Sequence, residues 1–504
     1  MQRTTFGNMH QNYQAGESLV TEPPRTNQVF AISIVFAIVF FTLTFIFRNY
    51  LENLQAPFII AFLGISAFIF LSGRLETYIL LLLIVNSTIF NLFEFPIIPI
   101  AIGDLYYSEA LILTLLMARL LKRVTVKVTV IPKPMGYFVL AVIMVGVFSF
   151  IYAIIGFHVT TTRAGIELRT ISYYSLFFLV IYYVRSHKQL KSLLLGMGVL
   201  TGIIAILLIV QTVLGYENEI LGGRVEVLNT AGQKFEDMTR VLIPGSSLII
   251  LGLNCMVALY IMQKRAERGR SLLLPIIAVL VCGLIFTFTR SHWVTVMLSV
   301  ATMLFVLRRR INMYPRLALI VACALIGGVI LLQAKVLNPR ILKEAVFERS
   351  ISILDAHKNF RNDTLYMRYM ESLMAWKKIK EHPLLGIGLG TVYRQNLFGN
   401  TSYERDVGGT MVHSGYLATQ LKMGIPGTIV FLAMPLFFLF RSIPRWKRVK
   451  SSLYQAVLLG IIVFIMGLMF LNIGPSPFIS ISWVPVVAVS MGIAEKIYQL
   501  EGIA

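Results

Sequence analysis

Residues 136–157, GYFVLAVIMVGVFSFIYAIIGF, decide the fold: 22 positions pass without one charged side chain. About 20 helical residues cross the hydrocarbon core of a bilayer, so a run of this length and purity reads as a membrane span. Lipid offers the backbone no hydrogen-bond partners, and a helix satisfies its own. Working outward, similar runs occupy 29–47, 57–73, 77–93, 105–121, 170–184, 193–214, 241–263, 272–289, 292–307, 317–333, 428–440, 452–474 and 477–494, fourteen candidate spans in all. The expected fold is an all-α, polytopic membrane helix bundle of about 12–14 transmembrane helices. Composition agrees, because 57% of residues are hydrophobic and only 14% charged. A soluble domain carries roughly 25% charged residues. A water-soluble enzyme, a disordered chain and a disulfide-stapled module are excluded.

The net charge of +21 raises nucleic acid as a partner, but the positions of the charges dismiss it. Lys122, Arg123, Lys127 and Lys133 form one basic connection, and Arg185, Lys188 and Lys191 the next. Lys264, Arg265, Arg268 and Arg270 follow, then Arg308, Arg309, Arg310 and Arg316, then Arg441, Arg445, Lys447, Arg448 and Lys450. All fall on one side of the membrane if the N-terminus is cytoplasmic. Lys and Arg are retained on that side, so both termini are expected inside. Cys255, Cys282 and Cys323 lie in apolar runs without metal-ligand spacing and read as small core residues.

The expected organisation is a disordered cytoplasmic tail at 1–28, transmembrane helices 1–11 across 29–333, a large extracytoplasmic loop at 334–427 and C-terminal transmembrane helices in 428–504. Shorter outer loops are expected at 158–169 and 215–240. The loop 334–427 carries 13 Lys or Arg and 8 Asp or Glu. Loops longer than about 60 residues escape the positive-inside rule, so this basic excess leaves the orientation intact. Inside it, Leu365, Tyr369, Leu373, Trp376 and Ile379 recur at helical spacing, with Arg368 beside the stripe. Pro383 ends that helix near His382. A glycine-spaced turn, Gly386-Ile-Gly-Leu-Gly390, follows, and a second helix starts near His413 and runs to a break at Gly424-Ile-Pro-Gly427. The loop reads as a cap of two amphipathic helices on the outer membrane surface.

Three residues stand out chemically. Arg290 sits at a span boundary, where an arginine either snorkels or serves a site. Arg368 is either a solvated face residue or a ligand. His413 either caps its helix or acts as a base, since imidazole titrates near pH 6.5. The topology brings all three to the outer side. Two guanidiniums could grip a pyrophosphate bidentately while the histidine takes a proton from an attacking hydroxyl. No His/Cys cluster or Asp-x-Asp pair in the outer loops has metal-ligand spacing, so neither metal nor cofactor is expected. The glycine turn lacks the βαβ setting of a dinucleotide fingerprint. It is a plain loop or a close approach of backbone to substrate through Gly388 and Gly390.

The stretch from Arg368 through Trp376, His382-Pro383 and Gly386-x-Gly-x-Gly390, followed by His413-Ser-Gly-Tyr-Leu417 and Met423-Gly-Ile-Pro-Gly427, resembles the O-antigen ligase/O-antigen polymerase superfamily. Phe288-Thr-Arg-Ser291 is similar to its upstream arginine motif, and the clear likeness covers about 286–435. The resemblance implies a metal-independent glycosyltransferase in the bacterial cytoplasmic membrane, with its active site on the extracytoplasmic side. The donor it implies is a glycan on undecaprenyl pyrophosphate. The acceptor is a sugar hydroxyl on a lipid-linked repeat or on lipid A-core, and further polysaccharide assembly and export proteins are possible partners. It assigns Arg290 and Arg368 to the pyrophosphate and His413 to the base, with Arg240, Arg169 and Tyr416 as further substrate contacts. His292, where relatives carry a small residue, is a rival base. Direct attack implies inversion at the anomeric carbon. A surface-polysaccharide polymerase is the expected activity, with a ligase as the alternative. A transporter or flippase would place ionisable groups at mid-span. Here Glu109 and Arg119 are the main such residues.

Overall fold

The computed structural model describes residues 76–86, 98–100, 103–105, 107–125, 132, 134–217, 221, 224–230, 233–263, 270–308, 363–394 and 409–503. These belong to the second of two units, Ile69–Ala504. The expected tail 1–28, the spans 29–47, 57–73 and 317–333, and Cys323 lie outside the described residues, as do 334–362 and 395–408 of the large loop.

The elements run α1 (Glu76–Asn86), β1 (Ile98–Ile100), β2 (Gly103–Leu105), α2 (Tyr107–Thr125), α3 (Met135–Phe157), α4 (Thr161–Ser172), α5 (Leu176–Tyr183) and α6 (His187–Leu214). Then come β3 (Arg224–Thr230), β4 (Gln233–Leu242), α7 (Ser246–Met262), α8 (Arg270–Phe286) and α9 (Arg290–Leu307). The last are α10 (Asp363–Glu381), α11 (Gly415–Arg445), α12 (Ser452–Leu471) and α13 (Val484–Leu500). Six helical segments among the described residues are long and apolar enough to cross a membrane: Met135–Phe157, Thr161–Tyr183, His187–Leu214, Arg290–Leu307, Gly415–Arg448 and Ser452–Leu471. Ser246–Met262 and Ser271–Phe286 are shorter apolar helices. The chain is a multi-pass membrane protein with an all-α bundle.

Two expected loops are ordered instead. The stretch 158–169 is mostly α4, which runs through a 3-10 turn at Tyr173–Ser175 into α5. Helix therefore begins nine residues before the apolar run expected there at 170–184. The loop 215–240 carries the antiparallel hairpin β3–β4, with Val225 opposite Val241 and Glu226 opposite Arg240. Alternating valines and an oppositely charged cross-strand pair favour this pairing.

Lipid supplies no hydrophobic drive between helices, so close packing and interhelical hydrogen bonds hold such bundles. On α12, Gly460 faces α7 so closely that a Cβ would lie 2.7 Å from the Cα of Cys255. One turn further, Ser299 Oγ on α9 donates to Val463 O at 3.0 Å. Such bonds average about 0.6 kcal/mol in membrane helices. Gly460→Leu is expected to force α7 and α12 apart and to cost about 1–3 kcal/mol or more by overpacking. The check is a thermal melt of the detergent-purified protein by fluorescence-detected size exclusion; an unshifted midpoint would contradict it.

Short connections alternate the helix directions. The end of α3, the hairpin, the start of α9 and the start of α11 therefore gather at one end of the bundle, and α10 packs there against α11. The expected break between the spans at Arg290 is present. α8 ends at Phe286, and Thr287 and Phe288 turn the chain before α9.

Candidate active site

Arg290 owes its position to that turn. Phe288 is fully buried with φ of 45°, a conformation that a bulky residue adopts only when its surroundings impose it. Thr287 Oγ1 donates to Leu284 O, Thr289 Oγ1 donates to Thr287 O, and Trp293 Nε1 returns to Leu284 O at 3.0 Å. Arg290 is then the first residue of α9. A helix N-terminus favours anions and disfavours cations. A guanidinium fixed there suits a site that receives negative charge.

Arg240 arrives from β4 and is held by Glu226 across the hairpin, Nη1 to Oε1 at 3.0 Å. Burial pushes its guanidinium below the ordinary arginine value; Glu226 opposes that, while Arg224 and Arg368 add to it. Arg368 also acts electrostatically on Arg290. Three arginines from three separate elements thus share one field. Like charges gathered this way repel, and a polyanion relieves the repulsion.

α10 presents its buried face through Glu371, Ala375 and Ile379, at spacings of four. Ala375 and Ile379 join Ile387, Tyr393, Val412, Ala418 and Leu421 in a core beneath the helix. Of the apolar stripe seen in the sequence, Ile379 joins this buried face, whereas Tyr369, Leu373 and Trp376 are about half exposed. His382, after the helix, sets its ring edgewise on Phe157 at the end of α3, with centroids 5.3 Å apart.

The glycine turn that follows is used for packing. Gly386, Gly388 and Gly390 have φ of 71°, 83° and 72°. A Cβ on Gly388 would meet the backbone of Ala153 in α3, and one on Gly390 the backbone of Ala164 in α4. Ile387 N and Gly388 N donate to Leu421 O and Lys422 O. The space at both glycines is taken by helix backbone. Gly424, at the expected break, has φ of 64° and splits α11 into two stretches. Lys422 is buried just before it, with Nζ 3.1 Å from Glu167 and 2.9 Å from Thr391 O.

His413 lies two residues before α11. Its carbonyl accepts from Ser476 Oγ at 3.1 Å, and Gly415 N donates to Asn472 O at 2.9 Å, so the α12–α13 connection fixes the backbone here. The imidazole Nδ1 is 2.8 Å from Glu371 Oε2, and Arg394 Nη2 donates to Glu371 Oε1 at 3.2 Å. Side-chain exposure is 1% for Glu371, 0% for Arg394 and 22% for His413. A buried ion pair thus ends in a partly exposed histidine.

The other sequence candidates are placed differently. Arg169 pairs with Glu109, Nε to Oε1 at 2.5 Å. Arg119 stacks on the Tyr182 ring at 4.6 Å, so both of the mid-span ionisable groups have local partners. Tyr416 donates its hydroxyl to Met469 O at 2.6 Å and lines a narrow crevice with Thr419, Asn472 and Phe478. His292 is buried edgewise against Trp483, 5.3 Å between centroids, and no carboxylate among the described residues is paired with it as Glu371 is with His413. Glu371 and Arg394 were not singled out from the sequence. The sequence carries no signal for Glu371: the Tyr369-Leu373-Trp376 stripe puts it on the face expected to meet solvent, and only the packing of α10 buries it. Arg394 had no periodic context. Among the described residues, no group of three or more His, Cys, Asp or Glu is arranged to hold a metal ion.

Residues 275–432, about a third of the chain, match the family model described as O-Antigen ligase, which supports membership of the O-antigen ligase/polymerase superfamily. No curated protein matches the chain.

Proposed function

We propose that this chain, a multi-pass membrane protein whose residues 275–432 carry the O-antigen ligase match, transfers a glycan from undecaprenyl pyrophosphate to a sugar hydroxyl. It acts as a surface-polysaccharide polymerase at the outer face of the cytoplasmic membrane. The observation that carries the reading is the gathering of Arg240, Arg290 and Arg368 at the bundle end that also holds the His413–Glu371 pair. The basic connections support an orientation with both termini cytoplasmic and 334–427 outside. In that frame α10 and the first stretch of α11 form the catalytic loop, and the donor's pyrophosphate lies at headgroup depth.

The chemistry follows from the side chains. Arg290 and Arg368 bind the pyrophosphate and stabilise the charge that grows on it as the glycosidic C–O bond breaks. Arg240 adds a third positive charge from the hairpin. His413 takes the proton of the acceptor hydroxyl, whose oxygen attacks the anomeric carbon from the face opposite the leaving group. The products are the extended glycan, with inverted configuration, and undecaprenyl pyrophosphate. The bond to pyrophosphate provides the driving force, so the step requires neither a nucleotide nor a metal ion.

The description of the matched family favours a second reading, a ligase that moves finished glycan onto lipid A-core or another terminal acceptor. Deleting the gene from the native host and profiling the surface glycan separates the two. A polymerase leaves single repeats displayed and removes long chains. A ligase removes all transferred glycan while lipid-linked polymer accumulates. An unchanged profile would overturn both.

A further inference from the structure

We propose that Glu371 is a positioning residue that sets the tautomer of His413, and that Arg394 sets the orientation of Glu371. This rests on the reading of His413 as the base and adds the residues that make it one. A carboxylate can only accept hydrogen bonds, so the 2.8 Å contact requires His413 Nδ1 to carry the proton. The neutral ring then keeps its lone pair on Nε2, the nitrogen turned away from Glu371. The two carboxylate oxygens divide the work: Oε1 receives Arg394 Nη2 at 3.2 Å, and Oε2 receives the imidazole. Burial of the ion pair makes the arrangement firm. A buried carboxylate needs a counter-charge and fixed donors, and Arg394 supplies them from the far side of the glycine turn.

The assignment is local to this fold. Glu371 stands on α10, Arg394 follows the Gly386–Gly390 turn and His413 precedes α11, so the three meet only when α10 packs on α11. Arg368, three residues before Glu371 on the same helix, acts electrostatically on Arg240 and Arg290. One helix therefore serves the pyrophosphate side and the base side of the site together.

Glu371→Gln tests the idea sharply because Arg394 decides which way the new amide faces. Arg394 needs an oxygen, so the amide oxygen stays at the Oε1 position and the amide nitrogen meets His413 Nδ1. Nδ1 must then accept, the proton moves to Nε2, and the base is lost although size and fold are kept. The expected result is a fall in kcat on the order of 10²-fold with KM little changed, since general bases contribute about 10²–10⁴-fold. Glu371→Asp keeps an acceptor and is expected to recover about tenfold over the glutamine variant. Equal activity of wild type and Glu371→Gln would overturn the proposal, as would a loss in both variants confined to KM.

A second measurement uses the wild-type protein and is independent of how the variants fold. Ring nitrogen and carbon NMR shifts of histidine-labelled protein, with the signal assigned by comparison with His413→Asn, report the tautomer at a pH where the ring is neutral. A proton on Nδ1 supports the proposal, and a proton on Nε2 overturns it. His413→Ala keeps the two levels apart. If that variant transfers glycan normally, the base reading itself fails. If it is inactive while Glu371→Gln is unaffected, only the positioning role fails.

Discussion

His413→Ala is expected to lower glycan transfer on the order of 10³-fold while leaving donor binding within about twofold of wild type, because a general base acts in the transition state and not in the ground state. The side chain is partly exposed and its backbone is held by Ser476 and Asn472, so truncation removes few packing contacts. Purified protein, a synthetic lipid-linked repeat and a single-turnover assay give the chemical step directly. Donor binding measured separately, by tryptophan fluorescence, completes the comparison. A variant that turns over at the wild-type rate would remove His413 from the mechanism. The remaining histidine beside the arginines, His292, is buried against Trp483 and is no substitute in this geometry.

Arg290→Lys and Arg368→Lys form the second large effect, each expected to cost about 10²–10³-fold in kcat. Lysine keeps the charge and gives up the planar fork that matches two phosphate oxygens at once. Both guanidiniums act on the same leaving group, so the double variant is expected to lose far less than the product of the single losses. That non-additivity distinguishes a shared pyrophosphate from two independent structural roles. Rates for the four proteins of the cycle, taken at saturating donor, decide it; strictly multiplicative losses would place the arginines on different tasks.

Much of the candidate site could be named from one sequence because its parts are chemically loud. Arg290 interrupts two apolar runs, and a glycine turn after a proline announces where α10 stops. Arg368 and His413 could be named, and the break at Gly424 falls where Gly-Ile-Pro-Gly marked it. The silent parts depend on tertiary contact. Glu371 looks like any carboxylate on a helix until α11 covers it, and Arg394 becomes structural only through Glu371. The resemblance offered Arg169 as a substrate contact, and the structure pairs it with Glu109 at 2.5 Å across the fold. The helix period located α10 correctly, but of its bulky stripe Tyr369, Leu373 and Trp376 lie off the buried face and Ile379 on it. Small Ala375 marks that face, because α10 approaches α11 closely there. Gly388 and Gly390 pointed to a close backbone approach; their neighbours proved to be α3 and α4.

The kink at Gly424 has a mechanical consequence. Ile425 N donates to Leu384 O at 3.1 Å, tying the turn after α10 to the start of the long apolar stretch of α11. The histidine, its glutamate and Arg368 therefore ride on one span, whereas Arg290 is the first residue of another. Helices accommodate a thicker or thinner hydrocarbon layer by changing tilt. A tilt of α9 against α11 swings their ends apart or together, and the gap that changes is the one between Arg290 and the group formed by Arg368, Glu371 and His413. Bilayer thickness is therefore expected to change the rate of the proposed transfer, with the lipid as the frame in which Arg290 is registered against the other three side chains.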